Sequence, residues 1–331
     1  MKAYRQWQTA LMTTLVTALA VGILATPVSA RDMKLGHVGT PGSVYEKTAD
    51  EFTRIANSRL PEGWKIVSFG SSQLGNDVEL IQKLKLGTVD FALPSSAMST
   101  VAEQFAITEL PYTIESTEHA TEIQKDVFWK LLAPLAKKQG YHVLAMWESG
   151  FRHATNNIRP INKPEDLKGI KMRVAASPWR VKAFKAWGAN PTPMAWSEVF
   201  VALQTRVVDG QENPIANTYS AKIHEVQKYL SLTGHIYAPM YLVGGRTWGS
   251  FPKDVRDILA AAAQEARPFN LKMSKTLENQ TLEKIKAAGV KVNQPDIKAF
   301  VAATAPVHAE FAKTVPGGEE IIAAFKSVAP K

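Results

Sequence analysis

Hydrophobic positions recur at every second residue in some stretches of the chain and at every third or fourth in others, and the two periods take turns. Lys34-Leu35-Gly36-His37-Val38-Gly39 alternates like a strand delivering a glycine-bearing loop, and Ser43-Val44-Tyr45-Glu46 has the spacing of a helix capping box. Tyr45, Ala49, Phe52, Ile55, Ala56 and Leu60 then share one helical face. The unit repeats with a strand at 64–70, a helix opening at Asn76 with Glu79 three residues on, and a strand at 89–93 running into Pro94-Ser95-Ser96. This predicts β-α-β-α-β. Further on, the pattern predicts one long helix over 118–139, a strand at 141–147 and a crossing between two lobes near Gly150. A short strand at 170–174, a short helix at 224–230 and two strands at 232–238 and 241–245 follow. From Pro252 a helical period runs to about Ala288, interrupted only by Pro268, as expected of a kinked spine laid across both lobes. Short helices from Gln294 onward are expected to close the second lobe.

The first 30 residues do not share this alternation. Lys2 and Arg5 precede an apolar stretch from Leu11 to Ala25, and Val28-Ser29-Ala30 is a small-residue cleavage box, so 1–30 reads as a secretory signal peptide cleaved after Ala30. Export predicts a periplasmic protein, and the absence of cysteine leaves core packing alone to hold it together. The net charge is +9, or +7 once Lys2 and Arg5 are removed, but the basic residues are scattered among 30 acids without any like-charge block. That pattern excludes nucleic acid as a partner and suits a surface that gathers anions.

Enzyme signatures are missing. The chain has no H-E-x-x-H, G-x-S-x-G, P-loop or G-x-G-x-x-G, and its seven histidines stand singly without metal-ligand spacing. Glu198 reads as a first-turn helix acid and Asp209 as a turn former, which leaves Glu212 without an acid/base partner. No cofactor or metal is called for.

Binding chemistry concentrates between Leu167 and Pro214. Arg173 ends a strand, where its planar fork of donors matches a carboxylate, although a solvated surface arginine has the same local sequence. Trp196, before Ser197-Glu198, is either a ligand platform or a core staple, and Asn213, before Pro214, is either an amide donor or turn chemistry. Arg152, beside the expected crossing, fits a ligand contact or a structural ion pair. Tyr45 is a candidate wall residue at a helix start facing an anion site, Gln73 lies on the next loop, and Trp179 follows Arg173 on a loop and helix start.

Together these stretches carry a resemblance. GIKMRV, PTPMAWSEVFVALQT, VVDGQENP and HEVQKYLSLTGH stand in the order found in the solute receptors of TRAP transporters, the tripartite ATP-independent periplasmic family of DctP-type binding proteins, and the chain resembles them over nearly its whole mature length. The resemblance implies an α/β, type II-like two-lobed periplasmic binding protein with a long kinked helix spanning both lobes. Lobe I is expected at 31–149 plus about 239–279, and lobe II at 150–238 plus about 280–331. By the same resemblance Arg173 binds a solute carboxylate, Trp196 packs on the solute, Asn213 donates an amide and Arg152 faces the site. The implied partners are a small organic acid, whether aromatic, hydroxylated, sugar acid or dicarboxylate, and the small and large integral membrane subunits, with the receptor itself a monomer. One departure is Arg206, where the family commonly has glycine before VVDG. Competing readings are a receptor for an ATP-driven importer, a sensory receptor and an exported enzyme acting on an organic acid.

Overall fold

The computed structural model describes residues 31–330, so the expected signal peptide lies outside the described residues. The first lobe opens with β1 (Arg31–Gly36), α1 (Val44–Asn57), β2 (Trp64–Phe69), α2 (Asp77–Leu86) and β3 (Phe91–Ala92), in the expected β-α-β-α-β order. Both helix starts are fixed by side chains. Ser43 accepts from the Glu46 amide at 3.2 Å, while the Glu46 carboxylate reaches past Ser43 to the Gly42 amide at 2.6 Å. Asn76 and Glu79 form a complete reciprocal box, and Gly87, at φ +78°, lets the chain leave α2 in a left-handed turn.

The region 117–138 is not the single helix that its periodicity predicts. It starts as α-helix, widens into a π turn at Ile123–Phe128 and breaks before Ala133–Lys138, because Pro134 has no N–H to continue the ladder. After it come β4 (His142–Asn156), β5 (Lys171–Val174), α3 (Pro178–Ala186), β6 (Asn190–Pro193), α4 (Val199–Gln204), β7 (Gly210–Pro214), α5 (Ile215–Ser220), β8 (Tyr229–Gly244), α6 (Lys253–Ala287), β9 (Lys291–Asn293), α7 (Ile297–Thr314) and α8 (Gly318–Ser327).

The strands form one sheet in the order β2-β1-β3-β8-β4-β7-β5-β6, with β9 beside β8. Its two halves share only the long antiparallel pair β4 and β8. His142 to Trp147 pair with Gly244 to Met240 in the first half, and Arg152 to Asn156 with Ile236 to Tyr229 in the second. The two strands expected at 232–238 and 241–245, together with the end of the helix expected at 224–230, are thus a single 16-residue strand. Pro239 suggests a break but does not make one. It pairs with Glu148 where the ladder shifts register before Gly150, so a residue without an N–H costs no regular bond there. Gly150 takes φ +113° at this bulge, and a β-carbon on it would come within 3.2 Å of Pro214.

α6 is 35 residues long, about 52 Å at 1.5 Å per residue, with Pro268 inside it. Its first half packs Leu259, Ala262, Ala263 and Ala266 against Met33, Phe52 and Trp147, and its far end places Ile285 beside Ile215 and Leu230. Between these ends Asn270, fully buried, accepts from the Glu148 amide at 2.7 Å and donates to the Glu148 carbonyl at 2.8 Å, satisfying the main chain at the bulge. The C-terminal helices depart from expectation. Phe300 on α7 packs in the second half against Trp187, but Val307 and Phe311, with Ile321 and Phe325 of α8, join the cluster around Phe105 and Phe128 in the first. Their apolar spacing reads as helix, but nothing in it says which half they cover. Among the described residues no helix is long and apolar enough to cross a membrane.

Candidate functional site

The carboxyl ends of β5 and β7 meet β4 where the two halves face each other. Strand register sets Arg173 opposite Gln211, Asn213 opposite His153 and Arg152 opposite Pro214, so three separate segments converge on one spot. A cavity of about 350 Å³ lies there. The first half contributes the loop before α1, Tyr45 in the first turn of α1, Asp77 at the start of α2, and Ser95. The second half contributes Arg152, Arg173, Trp196, Asn213 and Asn217. Thr40 donates to Ser220 across the gap at 3.0 Å, a direct bond between the two sides.

Arg173 is 4% exposed. Its Nε and Nη2 both donate to the Met194 carbonyl, at 3.0 and 2.7 Å, and its guanidinium carbon lies 5.5 Å from the centre of the Trp196 ring. The carbonyl and the indole fix the plane of the fork, leaving Nη1 and the second Nη2 hydrogen for another partner. Burial, reinforced by Arg152 and Arg180, depresses its pKa to about 9 against the pull of Glu212 and Asp77, so the group is still a cation at neutral pH. Unlike its neighbours, Arg173 makes no ion pair among the described residues.

Those neighbours form a buried charge network. Arg152 Nε pairs with Glu212 Oε2, and its Nη2 donates to Glu212 Oε1 at 2.9 Å. Arg180 Nη1 donates to Glu212 Oε1 at 3.1 Å, and its Nη2 forms with Glu109 Oε2 a close ion pair that is not aligned as a hydrogen bond. Burial would push the Glu212 carboxyl up, but Arg152, Arg180 and the bond from His235 hold it well below the usual carboxylate range. Ionised Glu212 only accepts, so His235 Nε2, 3.2 Å away, must donate, and Nδ1 must accept from Thr233 at 2.7 Å. Burial correspondingly lowers His235 to about 4 despite Glu212. Three arginines meet two glutamates in this network, and Asp77 and Glu198 add two further acids on the cavity wall.

On the opposite wall Tyr45 is buried with its hydroxyl near Ser95 and Ser149, and its pKa is raised by burial and by Asp77. Asn213 donates to Gln211 Oε1 at 2.8 Å, which leaves its second N–H and its carbonyl uncommitted. Asn217 donates to Ser149 at 3.1 Å, but its Oδ1 is buried without a partner, and so is Asp77 Oδ1.

Of the residues singled out from sequence, Arg173, Trp196, Asn213, Arg152 and Tyr45 line the cavity. Gln73 and Trp179 do not. Ser71 and Ser72, both at positive φ, turn the loop so that Gln73 faces solvent. Trp179 is 2% exposed and packs edge-on against Phe311 with 5.0 Å between ring centres, because α7 reaches back across α3. Asp77 and Asn217 were missed, as were Arg180 and Glu109. Asp77 looked like an ordinary first-turn helix acid, whereas Asn217, four residues beyond Asn213 where β7 passes into α5, offered a spacing that sequence inspection could have used.

A two-lobed α/β receptor with a cavity between its halves, lined by two arginines and two acids, is the architecture of a solute-binding protein. The chain belongs to the DctP family, bacterial extracellular solute-binding protein family 7, whose pattern matches residues 35–314. It is 32% identical over 305 residues to the 2,3-diketo-L-gulonate-binding periplasmic protein YiaO of Escherichia coli, covering 91% of this chain and 93% of the relative. A TRAP periplasmic solute-binding protein from a Polaromonas species, solved with D-erythronate, superposes with a TM-score of 0.87 at 34% identity, over 90% of this chain and 99% of that one. Another from Sulfurospirillum deleyianum, with succinate, gives 0.86 at 32% identity over 91% and 100%.

Proposed function

We propose that this protein is the periplasmic receptor of a TRAP transporter, taking up a small organic acid by its carboxylate in the cavity between the lobes and passing it unchanged to the small and large membrane subunits. Arg173 carries the reading: a buried guanidinium, fixed in plane, without an ion pair among the described residues and with an open donor edge on a cavity of about 350 Å³. A carboxylate supplies the missing charge and accepts two parallel N–H bonds. Trp196 then serves the solute by steering Arg173, Asn213 adds a donor, and Arg152 supplies positive potential while bound to Glu212. The relatives solved with D-erythronate and succinate support an acid as the solute. The receptor acts as a monomer, delivered by cleavage after Ala30. Residues 31–149 with about 239–279 form one lobe and 150–238 with about 280–331 the other, with α8 returning to the first, and closure pivots where β4 and β8 shift register beside Asn270.

Truncating one partner of a buried charge pair costs about 3–5 kcal/mol, and each 1.4 kcal/mol is tenfold in affinity. Arg173→Ala should therefore weaken binding of the acid by about two to three orders of magnitude in calorimetry, with the fold intact by circular dichroism. Unchanged affinity refutes the assignment.

A further inference from the structure

The two halves touch on both faces of the sheet, and the two contacts are unlike. One lies behind the cavity. α3 connects β5 to β6 in the second half, yet Trp179 in its first turn sits in the first-half cluster with Phe105 and Phe128, edge-on to Phe311. Next to it Arg180 forms its close ion pair with Glu109 of the first half. Three residues beyond Glu109, Tyr112 donates its amide to the His235 carbonyl at 2.8 Å and its hydroxyl to the Thr233 carbonyl at 3.1 Å. Trp179, Phe311, Arg180 and Glu109 are each 2% exposed or less, and none of them borders the cavity. Parting the halves here would wet an indole, a phenyl ring and a buried ion pair together.

The other contact is at the cavity rim, on the opposite face. Tyr241 and Val243 of β8 point into the cluster that holds Trp179, whereas Met240 and Leu242 point into the one built on α1 and α6. α5 packs on that second face, with Ile215 against Ile285 of α6. There Thr40, ahead of α1, donates to Ser220 at the end of α5 at 3.0 Å, and both residues line the cavity. Thr40 is held in place by its own turn. Pro41 and Gly42, the latter at φ +80°, bring the Ser43 amide to the Thr40 carbonyl at 3.0 Å, which ties the turn to the N-cap of α1. Ser220 Oγ accepts from Thr40 and donates to the Asn217 carbonyl at 3.3 Å. Both hydroxyl residues are half-buried, so parting them breaks one hydrogen bond and returns the two groups to water.

Building on the receptor reading, we propose that Thr40 and Ser220 form a latch, made only when the cavity is shut, that sets how long a bound acid is held, while the contact around Trp179 and Arg180 stays made whether the cavity is open or shut. A contact common to both states leaves their balance unchanged, whereas one confined to the closed state slows release.

The test is stopped-flow tryptophan fluorescence on the full receptor, with whichever of succinate, D-erythronate and galactonate binds the wild type most tightly. Thr40→Val and Ser220→Ala should each raise the dissociation rate about three- to tenfold, the worth of one hydrogen bond, with the association rate and the unfolding midpoint of the free protein little changed. The double variant should dissociate no faster than the faster single variant, because either change alone breaks the latch. Phe311→Leu should do the reverse, lowering the unfolding midpoint and leaving the dissociation rate as it is. Unchanged dissociation in both latch variants overturns the proposal. So do additive effects in the double variant, which would mean that each hydroxyl touches the acid separately, and faster release in Phe311→Leu. In all three cases the receptor reading stands. A wild type that binds none of the three acids overturns both.

Discussion

Glu212 stands at the centre of the buried network, and replacing it with leucine tests whether that network holds the second lobe together. The substitution removes the carboxylate shared by Arg152 and Arg180 and the acceptor of His235, all 6% exposed or less. Leaving buried cations unpaired costs about 3–5 kcal/mol. For the 300 described residues an unfolding entropy of about 2.1 cal/mol/K per residue gives about 0.6 kcal/mol per degree, so the midpoint should fall by about 5–8 °C. The sharper test is the double variant Glu212→Leu, Arg152→Met. Arg180 keeps Glu109 as its partner, so removing Arg152 together with Glu212 strands neither of the two arginines that shared that carboxylate. The double variant should therefore recover at least half of the single variant's loss, a favourable coupling seen in a double-mutant cycle by calorimetry or urea titration. One molar salt should rescue neither variant, because screening does not reach a buried pair. Additive losses in the double variant, or a drop of less than 2 °C for Glu212→Leu, would refute this account.

Two further predictions rest on other elements. His235 is held neutral to about pH 4, whereas an unfolded histidine takes up its proton near 6.5, so its share of stability is lost as the pH falls between those values, up to roughly 3 kcal/mol. Asp77 and Glu148, whose carboxyls burial raises, work in the opposite direction, so the check is a difference: urea titrations should give His235→Gln a flatter stability profile from pH 6.5 to 4 than the wild type, and parallel profiles would sink the claim. Trp179→Ala should lower stability by about 3–5 kcal/mol, since it empties a site packed against Phe311, yet leave affinity for the acid unchanged; a weakened ligand titration would return Trp179 to the binding site.

Local chemistry made much of this protein legible from its sequence. Caps at Ser43 and Asn76, alternation at β1, β2 and β5, and a period sustained through α6 are effects within a few residues of one another, and each of these elements exists. Where the sequence misled, a distant partner overrode the local signal. Pro239 looks like the end of a strand until β4 supplies a bulge opposite it, and Trp179 looks like a candidate ligand contact until α7 covers it. The choice of Arg173 over other arginines came from a resemblance, because an isolated guanidinium at a strand end gives no sign of its burial.

The order of residues alone determined most of the helices and strands, where many of them begin, and that a cation, an indole and an amide fall at their junctions. Only the tertiary structure decided which charges cancel. Arg152 and Arg180 share Glu212 while Arg173 makes no ion pair among the described residues, and Asp77 comes from the other half of the molecule to face it across the cavity. Pairing depends on distances of a few ångströms between residues as far apart in the chain as 77 and 173, and no sequence period extends over such separations.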